Sequence, residues 1–342
     1  MTMSAEPVAQ ADSRSADAGR AQGRVPDFFI VGHHKSGTTA MYEMLRRHPQ
    51  IFMPEMKEPE FFGRDRSRRR EDPAGRPGRR ARTYAQTRPQ TYAEYLALFE
   101  AAGAGQRVGE ASPSYLYSPT AAAQIAEARP DARIVAILRE PASFLRSLHL
   151  QMLRDHVQRE PDLRQAIAGE DLADEGTGAR GPRPSYTDRV RYVEQLRRYH
   201  DVFAPEQVLV LIYDDFRADN RATVRAVLRF LDLDADARIE AVDVNPTVVA
   251  RSRVLDGWVR ALRTGRGPLA RGAKSTLEAL TPARARRRAV RSFQRNVVYG
   301  DAPPADEGLA IELRRRFRGE VVALGDYLGR DLVSLWGYDN LG

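Results

Sequence analysis

The sequence of 342 residues contains no cysteine, which excludes disulfide bonds, thiolate metal sites and cysteine nucleophiles. No apolar run approaches the roughly 20 residues that a membrane-spanning helix needs, although 42% of the residues are hydrophobic. Histidine is scarce as well, and the only close pair is His33-His34, so zinc chemistry is not expected. These absences leave a soluble globular protein of one large domain or two small ones.

Lysine is almost absent, because the only lysines among 54 basic residues are Lys35, Lys57 and Lys274. Arginine carries its charge on a planar fork, whereas lysine carries a compact charge on a flexible stem. A lysine in such an arginine-rich background indicates a site that needs the compact charge. Lys35 and Lys57 both lie in motifs described below.

The net charge of +8 is distributed unevenly along the chain. Residues 64–82 carry +6 and residues 251–295 carry +11, which leaves −9 for the remainder. Such basic segments suit phosphorylated ligands, acidic glycans, an anionic membrane surface or nucleic acid. The alternative interpretation is that they are solvated loops in a chain that prefers arginine.

Hydrophobic patterning predicts strands that alternate with helices. Strands are expected at the apolar runs 27–32, 107–109, 133–138 and 207–213. Helices are expected at the periodic segments 37–47, 91–102, 188–203 and 219–231. The alternation predicts an α/β fold in a single domain, with a doubly wound parallel sheet flanked by helices. Five aromatic residues are assigned to the core by their periodicity: Phe61, Phe62, Tyr92, Tyr95 and Phe99.

The segments outside this pattern differ in composition. Residues 1–24 lack an apolar core and predict a disordered N-terminal tail ahead of a domain at 25–342. Segments 63–90 and 169–187 are rich in glycine and proline and predict two long loops. Residues 251–300 are expected to form a basic region of helix and loop.

A glycine-rich segment, Gly32 to Thr39, lies where the first predicted strand meets the first predicted helix. Backbone N–H groups and the helix dipole bind anions at such a junction, Lys35 adds a mobile cation, and the Thr38 and Thr39 hydroxyls can donate hydrogen bonds. In a Walker A loop the lysine directly follows the last glycine, but here Lys35 precedes Gly37. The displacement disfavours an ATP or GTP hydrolase.

From Lys35 to Thr39 the loop resembles that of the P-loop sulfotransferases, which use 3′-phosphoadenosine 5′-phosphosulfate. Further elements follow in the order typical of the bacterial and carbohydrate-type branch of that family: Lys57 to Phe62, Gly109 to Tyr115, Leu138 to Pro141 with Ser147, and the ending from Leu328 through Trp336. The resemblance covers about residues 25–338 and is weakest near 251–300.

The resemblance implies a P-loop-type fold and a sulfotransferase that takes 3′-phosphoadenosine 5′-phosphosulfate as co-substrate. The residues implied to bind the 5′-phosphosulfate are Lys35, Ser36, Gly37, Thr38 and Thr39, and those implied to bind the 3′-phosphate are Arg139 and Ser147. The family often has a second arginine five residues after the first, where this chain has Phe144. Whether Arg146 replaces it is left open.

Sulfuryl transfer mainly requires positioning and charge neutralisation, so no metal is needed if cations and N–H groups supply them. Lys35 is the catalytic residue expected to stabilise the bridging oxygen of the leaving group. Glu58 matches the family's general base, which takes the proton of the acceptor hydroxyl. Four rival bases stay open: Glu60, Glu110, His33 and His149. His33 and His34 adjoin the loop and are also candidates for contact with donor or acceptor.

We expect the acceptor hydroxyl to belong to a carbohydrate, a glycolipid or another small molecule. The basic segment 251–295 is a candidate for peripheral membrane contact, and the expected location is the cytoplasm or such a membrane surface. No nucleic-acid partner is expected, because the arginine-rich segments have few interleaved aromatics. Two alternative functions are a nucleotide kinase or ATPase with an irregular phosphate loop, and an arginine-rich nucleic-acid-binding protein.

Overall fold

The computed structural model describes residues 24–63, 88–155, 157–177, 185–237, 248–250, 299–301 and 306–341. In these ranges five strands form one parallel sheet: β1 (Phe28–Gly32), β2 (Ile51–Phe52), β3 (Arg107–Ala111), β4 (Arg133–Leu138) and β5 (Val208–Ile212). Their order across the sheet is β2-β3-β1-β4-β5. Two further strands, β6 (Val248–Ala250) and β7 (Tyr299–Asp301), form an antiparallel pair.

Helices connect the strands and continue beyond them. Those in the first half of the chain are α1 (Thr38–Leu45), α2 (Tyr92–Ala97), α3 (Ala121–Ala128), α4 (Pro141–Arg154) and α5 (Leu163–Thr177). Those in the second half are α6 (Tyr192–His200), α7 (Tyr213–Ala218), α8 (Asn220–Phe230), α9 (Glu307–Leu328) and α10 (Leu332–Trp336). Strands that alternate with helices in a parallel sheet confirm the predicted α/β fold.

The strands of the five-stranded parallel sheet bury side chains on both of its faces. In β1, Phe29 and Val31 enter one hydrophobic cluster, whereas Phe28 and Ile30 enter the other. Residues of α2, α3, α4, α6 and α9 pack in the first cluster, and residues of α1, α7 and α8 pack in the second. Because side chains alternate along a strand, a sheet covered by helices on both faces needs the continuous apolar runs seen in the sequence. The doubly wound arrangement is thereby confirmed.

The carboxyl ends of four strands meet at one edge of the sheet. His33 follows β1, Ser112 follows β3, Arg139 follows β4 and Tyr213 follows β5. Ligands of open α/β sheets gather beyond this edge, beside the point where the strand order reverses. The fold therefore places the predicted phosphate loop and Arg139 on adjacent central strands.

The prediction of a loop over 169–187 is wrong in its first half, because α5 continues to Thr177. Gly169 and Gly176 lie within the helix, where a glycine costs only about 1 kcal/mol, and the first proline after them is Pro182. Residues 178–184 lie outside the described residues.

Other predicted segments are shorter in the structure or fall outside it. The helices expected over 37–47, 91–102 and 188–203 are shorter at one or both ends, while the 107–109 strand is longer. The predicted tail is described only at Arg24, and residues 64–87 of the first loop are not described. Of the basic region 251–300, only Tyr299 and Gly300 are described, and they lie in β7.

Among the predicted core aromatics, Tyr92 is 40% exposed and the other four are buried.

Candidate active site

The loop between β1 and α1 is fixed to the centre of the sheet. The N–H of His33 donates to the carbonyl of Ile137 in β4 at 3.1 Å. Gly37 precedes α1 with φ 82°, and an added Cβ would lie 2.8 Å from the ring of Phe216, so the position requires glycine. The first N–H groups of an α-helix have no acceptor within the helix. The start of α1 at Thr38 therefore offers hydrogen-bond donors for an anion.

The hydroxyl groups of this loop differ in exposure. Thr39 is exposed, whereas Ser36 and Thr38 are buried. The Oγ of Ser36 has no hydrogen-bond partner among the described residues, and such a buried hydroxyl costs free energy. A donor-binding role for these three side chains stays a prediction, and only Thr39 presents its hydroxyl at the surface.

Three basic side chains gather around the loop. Arg139 Nη1 donates to the carbonyl oxygen of Lys35 at 2.8 Å, and its guanidinium lies over the ring of Tyr213, 4.8 Å from the centroid. Burial lowers the pKa of Lys35, and the positive charges of Arg154 and Arg139 lower it further. Since like charges repel, this arrangement is stabilised when an anion binds among them.

His33 is enclosed by aromatic rings at the base of the loop. Its ring lies 4.5 Å from that of Phe144 and 4.4 Å from that of Tyr192, and it is fully buried. Burial lowers its pKa to about 3, so the imidazole is neutral at physiological pH. Neither ring nitrogen has a hydrogen-bond partner among the described residues, and the ring packs in the core, which speaks against the prediction of His33 as a rival base.

Glu58 lies beside the phosphate loop and is ionised. Its N–H donates to the carbonyl of Ala111 at the end of β3 at 3.1 Å, and its carboxylate forms an ion pair with Lys57. Burial is the largest single effect and opposes ionisation, but the ion pair with Lys57 and the electrostatic interactions with His34 and Arg88 together outweigh it, so the pKa of Glu58 is lowered. His34 interacts electrostatically with Glu58, and its Nε2 lies 3.4 Å from the hydroxyl of Tyr117. The motif around Glu58 and the phosphate loop are therefore neighbours.

Glu58 and Glu60 both have left-handed backbone conformations, with φ of 62° and 51°. A non-glycine residue rarely adopts this conformation, and two so close together indicate a segment shaped by its surroundings. The N–H of Glu60 donates to the Oγ of Ser112 at 3.1 Å, and its carboxylate pairs with Arg88. Glu60 thus has a different partner from Glu58.

Glu110 is fully buried in β3 and lies away from solvent. Its Oε2 accepts hydrogen bonds from the hydroxyls of Tyr95 at 2.6 Å and Tyr115 at 3.1 Å. Burial raises its pKa to about 7, although the hydroxyl contacts oppose the shift. Glu110 organises the aromatic core beneath the site, and its burial speaks against a role as the base.

The raised pKa of Glu110 predicts a pH dependence of stability. The folded protein keeps this proton up to about pH 7, whereas an ordinary glutamate releases it near 4.5. The folded state therefore binds more protons in between, and the free energy of unfolding falls as the pH rises from about 4.5 to 7. We expect Glu110→Gln to flatten this slope, by up to about 3 kcal/mol across the range.

Urea unfolding of the wild type and Glu110→Gln at pH 5 and pH 8 measures this difference. Glu127→Gln, which alters an exposed carboxylate on α3, is the matched control and should retain the wild-type slope. Parallel slopes in all three proteins would show that Glu110 is ionised in the folded state.

The helix that follows Arg139 carries the remaining candidates. Ser147 is buried on α4, and its contact with a 3′-phosphate stays a prediction. Phe144 is also buried, while Arg146 lines a cavity together with His149. Both ring nitrogens of His149 have partners, the Tyr186 hydroxyl at 2.7 Å and the Pro161 carbonyl at 3.1 Å. These contacts speak against His149 as the base.

The site contains five side chains that sequence reasoning missed. They are Tyr117, Arg154, Arg189, Tyr192 and Tyr213. Tyr213 follows β5 directly, so the rule that ligands gather at the carboxyl ends of strands could have found it. The guanidinium of Arg189 lies over the ring of Tyr117, 4.5 Å from the centroid, and no motif predicts this contact.

Comparisons with known proteins show the family and the fold of the chain. A family model described as "Sulfotransferase family" matches residues 26–237. A crystal structure of a sulfotransferase from Alicyclobacillus acidocaldarius shares the fold, with a TM-score of 0.63, 24% identity, and coverage of 92% of this chain and 99% of that chain. The chain therefore belongs to the sulfotransferase family.

Two curated proteins are similar to parts of the chain. The bifunctional heparan sulfate N-deacetylase/N-sulfotransferase 1 of Caenorhabditis elegans is 23% identical over 71% of this chain and 26% of its own length. The membrane-associated sulfotransferase kil1 of Dictyostelium discoideum is 26% identical over 34% of this chain and 21% of its own length. The chain thus spans about a quarter of the length of these relatives.

Proposed function

We propose that this protein transfers a sulfuryl group from 3′-phosphoadenosine 5′-phosphosulfate to a hydroxyl group. The observation that carries the proposal is the gathering of Lys35, Arg139 and Arg154 at the start of α1, beside an ionised Glu58. A doubly phosphorylated donor brings complementary negative charge to this basic site, in which Arg154 is itself paired with Asp155. Membership of the sulfotransferase family supports the sulfuryl group as the transferred unit.

Two parts of the site bind the two ends of the donor. Residues Lys35 to Thr39 bind the 5′-phosphosulfate through the helix N–H groups and the lysine. Arg139 and Ser147 bind the 3′-phosphate, since Arg139 leaves β4 at the edge where the loop lies and its guanidinium reaches the loop backbone. An arginine fork matches phosphate geometry better than a lysine does, which fits Arg139 in this role.

The chemical step exchanges one sulfur–oxygen bond for another. The acceptor oxygen attacks sulfur, the bond from sulfur to the bridging oxygen breaks, and 3′-phosphoadenosine 5′-phosphate leaves. Lys35 stabilises the negative charge that develops on the bridging oxygen, which lowers the energy of the transition state more than that of the bound donor. Glu58 accepts the hydroxyl proton of the acceptor. Its lowered pKa keeps it in the required unprotonated form at neutral pH.

For the acceptor we propose a carbohydrate hydroxyl, with a glycolipid or another small alcohol as the alternative. The name of the C. elegans relative, a heparan sulfate N-sulfotransferase, supports a carbohydrate. Transfer of labelled sulfate to a panel of carbohydrate, lipid and phenolic acceptors tests this assignment. Selective labelling of a lipid or phenol would move the proposal to that class.

Membrane contact through residues 251–295 is a separate proposal, and that segment lies outside the described residues. Among the helices of the described ranges, none combines the length and apolar character that a membrane crossing requires. The basic charge of the segment and the membrane-associated D. discoideum relative support the proposal. Co-sedimentation with anionic vesicles, compared with neutral ones, tests it.

The two other functions named from the sequence have less support. Nucleotide-triphosphate hydrolysis conflicts with the position of Lys35 before Gly37, and the family match favours sulfuryl transfer. Nucleic-acid binding leaves the cations around the phosphate loop unexplained. ATP turnover with Mg²⁺ would support the first function, and strongly salt-dependent binding to DNA would support the second.

We expect 3′-phosphoadenosine 5′-phosphate to stabilise the folded protein far more than ADP or AMP. A ligand that binds only the folded state adds about 2.7 kcal/mol at 100 times its dissociation constant. Thermal unfolding with each nucleotide at equal concentration measures the difference. Equal shifts with AMP and the doubly phosphorylated nucleotide would contradict a 3′-phosphate site at Arg139 and Ser147.

A further inference from the structure

Three side chains of the C-terminal segment, residues 330–338, bind to residues that follow β4 and β5. Arg330 pairs with both carboxylate oxygens of Asp215 at 2.5 and 2.7 Å. Trp336 Nε1 donates to Asp214 Oδ2 at 2.9 Å. The hydroxyl of Tyr338 donates to Glu140 Oε1 at 2.7 Å. These bonds connect residues more than a hundred positions apart in sequence.

The acceptors of these bonds adjoin the donor site on both sides of Arg139. Glu140 is the next residue in the chain after Arg139. Asp214 and Asp215 directly follow Tyr213, whose ring lies beneath the Arg139 guanidinium. The C-terminal segment therefore holds the backbone that bears Arg139 and also the helix start that bears its aromatic neighbour.

Glu140 fixes the start of the helix that carries Ser147. Its carboxylate accepts hydrogen bonds from the N–H groups of Ala142 at 3.1 Å and Ser143 at 2.6 Å, which caps α4. An N-cap of this kind sets the direction in which the helix leaves the strand. Because Tyr338 donates to the same carboxylate, it restrains the cap and with it the position of Ser147 relative to Arg139.

Tyr338 is suited to this restraint. Its side chain is fully buried, and burial together with the charge of Glu140 raises its pKa, so the hydroxyl remains a donor over the physiological range. Arg314 of α9 places its Nε 3.6 Å from Glu140 Oε1 and adds a positive charge beside the carboxylate. The cap is thus held by two elements at the end of the chain.

We propose that the C-terminal segment positions the 3′-phosphate site, with Tyr338 as the positioning residue that acts on Arg139 and Ser147 through Glu140. The inference rests on the proposed function of Arg139 and Ser147. It assigns a role to the terminal Leu328 to Trp336 motif and to the residues just after it. A purely structural role would instead fasten the chain end without affecting nucleotide selectivity.

Nucleotide selectivity separates these two roles. The test measures the dissociation constants of 3′-phosphoadenosine 5′-phosphate and of AMP by isothermal titration, for the full-length wild type and Tyr338→Phe. We expect Tyr338→Phe to weaken binding of the doubly phosphorylated nucleotide on the order of tenfold and to leave AMP binding unchanged. The readout is the dissociation constant of AMP divided by that of 3′-phosphoadenosine 5′-phosphate, and we expect Tyr338→Phe to lower this ratio. General loosening of the fold would instead raise both constants and leave the ratio unchanged.

Tyr327→Phe is the matched control. It removes a tyrosine hydroxyl on α9 whose partner is His200 Nδ1 at 2.5 Å instead of Glu140. We expect this variant to keep the wild-type ratio. Should Tyr338→Phe fail to fold, Trp336→Phe removes the bond to Asp214 while retaining an aromatic ring, and it should lower the ratio in the same direction.

Three results would overturn the proposal in different ways. An unchanged ratio in Tyr338→Phe and Trp336→Phe would leave the segment with a structural role alone. Equal weakening of both nucleotides would indicate a loosened fold. If the wild type itself bound AMP as tightly as the doubly phosphorylated nucleotide, the 3′-phosphate site would be wrong, and the positioning role would fall with it.

Discussion

Lys35→Ala is expected to lower kcat by about two to three orders of magnitude while weakening binding of the product nucleotide much less. The charge that Lys35 meets on the bridging oxygen is greater in the transition state than in the bound donor. Burial and the charges of Arg154 and Arg139 lower the pKa of Lys35, although Asp155 opposes the shift, so negative charge that develops on the leaving group favours the ammonium form. Single-turnover rates and nucleotide titration, measured on the same preparation, separate the two effects.

Two further variants sharpen this test. Lys35→Arg keeps the charge but replaces the compact ammonium by a planar fork, and we expect it to restore only part of the rate. Arg229→Ala removes an exposed positive charge on α8, near the amino end of the sheet, and should leave kcat unchanged. A Lys35→Ala enzyme with normal kcat and raised KM would make Lys35 a binding residue only.

The sheet was predictable because its central strands are buried on both faces. The predicted strand at 133–138 matches β4, and that at 207–213 contains β5, since continuous apolar runs leave few other interpretations. The order of the strands was not predictable from such runs alone. It depends on which strands pair, and β1 pairs with both β3 and β4, far apart in the chain.

The site was predictable where its residues lie in a motif beside a strand end. Lys35 and Arg139 both follow central strands, and the structure brings them into contact. Tyr338, Tyr192 and Arg189 escaped prediction because each joins the site through tertiary packing from a distant helix or chain end. Two rival bases, Glu110 and His33, were separable from Glu58 only by burial, since the sequence shows that both are near the motifs but not that both are enclosed.

Glu58→Gln is expected to abolish most transfer to an alcohol, with kcat lower by about two to four orders of magnitude. The amide keeps the size of the side chain and its backbone position but cannot accept the hydroxyl proton. Donor affinity and the melting temperature should change little. Steady-state rates with an aliphatic alcohol and with an acidic phenol provide the measurement, and the loss should be smaller for the phenol because it releases its proton more readily.

The neighbouring Glu60→Gln variant controls for the shared features of this segment. Both carboxylates lie on left-handed backbone within one motif, but Glu60 pairs with Arg88 while Glu58 pairs with Lys57. Loss of transfer only in Glu60→Gln would move the base to that residue.

The pH profile adds an independent criterion, because a base with a lowered pKa keeps the wild-type enzyme active below the ordinary glutamate pKa of 4.5. An acid limb near pH 7 would instead match the buried Glu110 and would contradict the assignment of Glu58.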